Sequence, residues 1–351
     1  MTALLRGCVM SKFSIFAKNG GTGMIYRKLG DSELNCSVVG LGTWGMGGDS
    51  WAGSGEANDD LSIATLRAGI EAGINLIDTA QPYGYGHSET VVGKAIKGYR
   101  DRVIVATKCV SYQDENHQYH KDWRPDVLRR QIEGSLKRLD VDTIDLMQVH
   151  WPDPDPTHPL KDAFEELYKM KEEGYFRYLG VSNFDGQLID EAKQYCPIVS
   201  LQPPYSLLNR GIEKEILPYC AANNVGVLTY GSIAGGVLSG KYKERPVFVS
   251  SNLPDNRGRD VRAGFYPYYS EEAWPKTNAL LNVMRELADK NGVPCVYIAI
   301  GWSLKQTGMT ATLVGARTPE QAVMNAKAGD FVLSDEDNAY LTQRCNEIYG
   351  L

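Results

Sequence analysis

Asp78 and Tyr83 stand five residues apart in the stretch DTAQPYGYGHSE (78–89), directly after the apolar run GINLI. Lys108 ends a second apolar run, VIVATK, and His150 ends a third, IDLMQVH. A tyrosine hydroxyl titrates near ~10 when unperturbed. A neighbouring ammonium favours the phenolate and lowers that value. Lys108 beside Tyr83, with Asp78 holding Lys108, therefore describes a proton donor and acceptor tuned toward neutral pH. His150 can hydrogen-bond the same substrate oxygen and orient it. A carbonyl that accepts a proton must also accept a hydride, which no side chain provides and a nicotinamide cofactor does. The four residues thus spell carbonyl reduction, or alcohol oxidation in reverse.

Such a set needs a scaffold that brings distant strand ends together. Eight short apolar, β-branched runs predict strands at 38–43, 74–80, 103–108, 144–150, 177–183, 198–202, 225–231 and 311–316. Amphipathic helical stretches separate them, among them DDLSIATLRAGIEAG, PDVLRRQIEGSLKRL, PLKDAFEELYKMKEEG and IEKEILPYCAANN. Pro125 suits a first helical turn, and Gly73 and Gly174 suit C-terminal stops. Strands alternating with helices predict a parallel sheet buried on both faces. Eight repeats predict an α/β fold of the closed (β/α)8 TIM-barrel class, in which strand C-termini converge on one pocket. No linker divides the chain, so residues 24–351 read as one barrel domain. QDENHQYHKDWRPD and the aromatic-rich segment from Lys241 to Trp274 follow strands, and predict long functional loops on the C-terminal face.

The 351 residues are 43% hydrophobic, enough for a large core. A net charge of −6 and the lack of a basic, aromatic-interleaved block exclude a general nucleic-acid binder. No apolar run reaches membrane-spanning length. Seven scattered cysteines without a CxxC pair fit a reducing, cytoplasmic setting and no zinc knuckle. Residues 1–23 contain three basic residues and no acid. They read as a disordered or mis-started tail without catalytic role, with organelle targeting as the other reading and Met10 and Met24 as possible starts. GLGTWG (40–45) satisfies the dinucleotide fingerprint, but loop sequence follows where a helix must open. It reads instead as backbone near Thr43 and Trp44 approaching substrate and nicotinamide. HQYH (117–120) lacks a third ligand and predicts no metal site. Alternation turns Cys109 away from the pocket, and His87 reads as a helix-start residue.

The motifs GLGTW, DTAQPYGYGHSE, VATK, DLMQVHWPDP, GVSNF, SLQPPYSLLNR, TYGSIAGGVLSGKY and GARTPEQAVMN occur in one order from Met24 onward. In this the chain resembles the aldo-keto reductase family. PYSLLNR and YGSIAGGVLSGKY are most similar to its bacterial-type branch of general stress reductases and inositol-cluster oxidoreductases. The resemblance implies a TIM barrel reducing aldehydes or ketones with NADP(H), or NAD(H) as the less favoured cofactor, and a small carbonyl or alcohol as substrate. It makes Asp78, Tyr83, Lys108 and His150 the catalytic tetrad, with Tyr83 the general acid. Ser182, Asn183 and Gln202 match residues that hold the nicotinamide carboxamide, and Tyr230 the aromatic stacked on its ring. Ser232, Ile233 and Gly236 match the pyrophosphate loop, and Gly315, Arg317, Gln321 and Asn325 the adenosine-phosphate end. Met324 departs from the pattern, where many members carry an acid that contacts adenine. Two other readings fit parts of the sequence: a nicotinamide-binding regulatory barrel with little turnover, and a hydrolase or lyase using Asp78 and His150. The latter leaves Ser182, Asn183 and Gln202 without a role. Trp44, Tyr83, Tyr112, His150 and Trp151 imply an aromatic-walled pocket. A helix start near Pro319 offers free N–H groups to a phosphate. Arg317 adds a charged fork suited to a 2′-phosphate, which predicts NADPH over NADH.

Overall fold

The computed structural model describes residues 17–18, 23–48, 58–114, 116, 118–246 and 265–351. Eight parallel strands close on themselves: β1 Val39–Gly42, β2 Leu76–Asp78, β3 Ile104–Cys109, β4 Ile144–Val149, β5 Phe176–Ser182, β6 Ile198–Gln202, β7 Gly226–Thr229 and β8 Met309–Gly315. Each pairs with the next, and β8 returns to β1 with Gly315 opposite Gly42. Every run expected as a strand forms one, within a few residues at each end.

The strands are buried on both faces, which is why they read as nearly unbroken apolar runs. Inside the barrel Leu76, Ile104, Leu146, Leu228 and Leu313 pack together. Leu29, Leu34 and Cys36 from a hairpin of Ile25–Lys28 and Asn35–Ser37 join that cluster. Outside it, a second apolar layer joins strands to helices and takes up Cys109, as alternation predicted.

Helices α1 Asp59–Glu71, α2 His87–Ile96, α3 Pro125–Leu139, α4 Leu160–Glu172, α5 Gly186–Ala192 and α6 Ile216–Ala222 follow the first six strands. Between β7 and β8 lie α7 Trp274–Asn291 and α8 Cys295–Leu304, and α9 Pro319–Ala328 and α10 Asp335–Tyr349 follow β8. The termini obey local rules. Asn58 and Thr318 side chains cap α1 and α9, and Pro125 opens α3. Gly73 and Gly174 take positive φ just past α1 and α4.

Among the described residues no helix is long and apolar enough to cross a membrane, and the six cysteines are free. Residues 1–16 and 19–22 of the expected tail lie outside the described residues. Ala17–Lys18 pairs antiparallel with Ile25–Tyr26. The expected loops at 46–59 and 241–274 are outside them at 49–57 and 247–264, as is His117. His120 pairs with Asp114 at 2.8 Å.

Candidate active site

The four strand-exit residues meet. Lys108 Nζ donates to Asp78 Oδ1 at 2.6 Å, to Thr79 O at 2.9 Å and to the Tyr83 hydroxyl at 3.4 Å. The His150 ring stands edge-on to Tyr83, centroids 6.1 Å apart. Lys108 and Asp78 are 1% and 3% exposed. A pair so buried repays its desolvation only if the remaining lone pairs are also bonded. They are: Asp78 Oδ2 accepts Gln148 Nε2 at 3.0 Å and Gln202 Nε2 at 2.8 Å. Gln202 Nε2 also donates to Gln148 Oε1 at 3.1 Å, closing a triangle of side chains.

The electrostatics reverse one expectation. Burial pushes the Tyr83 hydroxyl well above 10, and the charge of Asp78 and the nearby Tyr119 push the same way. The Lys108 ammonium, itself lowered by burial, does not overcome them. Tyr83 is thus a firmly protonated acid rather than one poised near neutrality. His150 is driven well below 6.5 by burial, then by the charges of Lys108 and Lys121. Its Nδ1 is buried without a hydrogen-bond partner. A neutral imidazole beside a protonated phenol can hold a substrate oxygen without competing for the proton.

Tyr83 is positioned by backbone. Its N–H donates to Ala80 O at 3.1 Å, and its carbonyl accepts Ser88 N at 3.2 Å. Gly84 has φ +62°, and a Cβ there would meet Gly47 O at 1.7 Å; a Cβ on Gly47 would meet Gly84 N at 2.6 Å. The two chain segments therefore touch backbone to backbone, which only glycine permits. Below them Ser88 Oγ joins Thr43 Oγ1 at 2.7 Å and Thr79 Oγ1 at 3.0 Å. Thr43 Oγ1 donates to Asp78 O. Trp44 sets its ring edge-on to Phe265 at 5.6 Å.

The ends of β5 to β7 form the neighbouring wall. Ser182 Oγ donates to Gln202 O at 2.7 Å. Asn183, at φ +61°, donates from Nδ2 to His150 O at 2.9 Å and accepts the Tyr230 hydroxyl at 2.9 Å. The Gln202 amide nitrogen is occupied by Asp78 and Gln148, so its carbonyl oxygen is the atom left to a carboxamide. Gly231, Ala234, Gly235 and Gly236 all take positive φ. The N–H groups of Ser232 and Ile233 donate to no acceptor among the described residues. Unoccupied amides beside left-handed residues make an anion nest, which fits a pyrophosphate. Ser232 Oγ is anchored by Thr312 Oγ1.

At the far end Arg317 N donates to Gln321 Oε1 at 2.9 Å, and Asn325 Nδ2 to Gly315 O at 3.2 Å. Both side chains hold the turn into α9, and the Arg317 side chain is exposed. Met324, with Tyr297, Pro294, Pro319, Val323, Glu320 and Lys327, lines a groove and packs against the core.

The Aldo/keto reductase family profile matches residues 38–345. The chain is an aldo/keto reductase. It is 37% identical to Aldo-keto reductase YhdN of Bacillus subtilis, over 90% of this chain and 91% of that protein. It is 32% identical to the NADH-specific methylglyoxal reductase of Escherichia coli, over 88% and 94%. Its fold matches that of a glycerol dehydrogenase from Gluconobacter oxydans with a TM-score of 0.81, at 34% identity, covering 92% and 95%. This aldo/keto reductase belongs with the bacterial-type branch, and its reaction is NAD(P)H-dependent interconversion of aldehydes or ketones and alcohols on small molecules.

Sequence reasoning missed two residues around the tetrad. Gln148 is the one amide in β4, between the apolar Met147 and Val149, and a buried polar side chain there must find a partner. Glu89, fully buried in α2, accepts Thr107 Oγ1 at 2.6 Å and Arg138 Nε at 2.7 Å. Its signal was an acid in an apolar helix face.

Proposed function

We propose that this aldo/keto reductase reduces small aldehydes and ketones with NADPH, Tyr83 giving the proton to the carbonyl oxygen. The observation that carries this reading is the Tyr83 hydroxyl, held protonated 3.4 Å from Lys108 and beside a neutral His150. Once the proton has left, the Lys108 ammonium stabilises the phenolate. His150 orients the oxygen, and Asp78 fixes Lys108 through its 2.6 Å ion pair.

NADPH supplies the hydride. Ser182, Asn183 and Gln202 would hold its carboxamide and Tyr230 its ring, with Thr43 and Trp44 beside the nicotinamide. Ser232, Ile233 and Gly236 would take the pyrophosphate, and Gly315, Arg317, Gln321 and Asn325 the adenosine phosphate. The exposed Arg317 fork at the start of α9 favours a 2′-phosphate, although the Escherichia coli relative is NADH-specific. The barrel, residues 24–351, is one domain. Its free, mostly buried cysteines suit the reducing cytoplasm.

The test is steady-state oxidation of NADPH and NADH with a carbonyl panel, for wild type and Tyr83→Phe. Tyr83→Phe should lose about 10²–10⁴-fold in turnover with NADPH affinity retained. Turnover within a few-fold of wild type would remove Tyr83 as the acid.

A further inference from the structure

The polypeptide leaving β3 folds into a two-stranded hairpin, Ser111–Gln113 paired with Tyr119–Lys121. It is tied to the segment that carries Tyr83. Gln113 N donates to Gln81 Oε1 at 3.1 Å, and Gln81 Nε2 to Gln113 O at 3.5 Å. The register sets Ser111 opposite Lys121 and Gln113 opposite Tyr119, so these four side chains share one face. Tyr112 and His120 stack on the other face, centroids 5.2 Å apart.

The Lys121 end of that face reaches the segment that carries His150. Lys121 Nζ lies 4.4 Å over the ring of Trp151, the residue after His150. Other charges nearby are matched: Lys108 by Asp78 and Arg124 by Asp122. Lys121 has no carboxylate partner among the described residues.

We propose that this site prefers carbonyl substrates that carry an anionic group, carboxylate or phosphate, received by the Lys121 ammonium. This rests on the reductase reading above. The anionic group is separate from the carbonyl oxygen at Tyr83, so the substrate spans the two points. The indole of Trp151 steadies the ammonium by a cation–π contact.

The experiment compares matched pairs: succinic semialdehyde against butyraldehyde for carboxylate, and glyceraldehyde 3-phosphate against glyceraldehyde for phosphate. The readout is the ratio of kcat/KM, anionic over neutral, from NAD(P)H oxidation. One charge-assisted contact contributes roughly 1.5–3 kcal/mol, which is about ten- to a hundredfold. Wild type should show a ratio of that order in at least one pair, and the pair that shows it names the group. Lys121→Met should bring the ratio down by the same factor, and Lys121→Arg should keep most of it. A wild-type ratio near one in both pairs overturns the proposal, as does a Lys121→Met variant with the wild-type ratio. Failure of the reductase reading appears separately, as Tyr83→Phe retaining turnover on the neutral aldehydes.

Discussion

Lys108→Met probes the balance at the centre of the site. Methionine keeps the length of the side chain and removes the ammonium, which lies 2.6 Å from Asp78. The carboxylate then retains two amide donors, from Gln148 and Gln202. Hydrogen bonds to a charged group contribute roughly 1.5–3 kcal/mol each. Breaking a buried ion pair by removing one partner costs about 3–5 kcal/mol. The orphaned group has an alternative, which is to take up a proton. For an ordinary carboxyl group that costs about 4 kcal/mol at pH 7 and about 1.5 kcal/mol at pH 5. The penalty at pH 7 should therefore be about 3–4 kcal/mol. A folded state that holds an extra proton gains stability as pH falls and loses it as pH rises. The variant should thus recover about 2 kcal/mol relative to wild type between pH 7 and pH 5. Urea unfolding at the two pH values, with the slope m unchanged, measures this. An equal penalty at both values, or one below about 1 kcal/mol at pH 7, would refute the reasoning, because the two amides alone would then suffice.

Arg317→Ala should weaken NADPH binding by about ten- to a hundredfold and leave NADH nearly unchanged, read by fluorescence titration of both cofactors; equal losses would remove Arg317 from the phosphate site. Gln148→Leu should cost about 1–3 kcal/mol of stability, less than Lys108→Met at pH 7, in the same urea experiment. The His150 imidazole should show no titration in NMR spectra through the usual range near ~6.5. Because its folded-state affinity for protons is depressed, the unfolded chain binds more protons at acid pH, and stability should fall as pH drops below ~6.5. His150→Gln should lessen that acid loss, and an unchanged slope of stability against pH would count against a buried neutral ring.

The barrel was legible because its cause is local and repeated. A strand buried on both faces must be apolar throughout, so IVSLQ and VIVATK announce themselves one by one. The meeting of the four strand-exit residues was legible for a related reason: a lysine or aspartate ending such a run has nowhere to go but the pocket. What failed was the sign of the Tyr83 shift. Spacing shows that an ammonium can arrive beside a phenol, but not how completely the surrounding wall dries them both, and burial outweighs the charge. The role of Gln202 was half visible. Its position at a strand exit pointed to the pocket, while its amide bonds to Asp78 and Gln148 depend on three strands meeting. The hairpin that carries Lys121 was expected only as a long polar loop. Its pairing puts residues ten apart on one face, and no periodicity within the segment foretells that.

The contact between Gly47 and Gly84 has a consequence for how this enzyme can diversify. The segment that carries Tyr83 is registered by main chain against main chain, with no side chain at the point of touch. Exchanging residues in the surrounding loops can reshape what enters the pocket while Tyr83 stays where it is. The two glycines themselves form a lock without a spare key. A larger residue at either one meets the backbone of the other, so no compensating partner substitution exists. In a library of variants selected for new substrates, accepted changes should be spread over the loop side chains and be missing at these two positions.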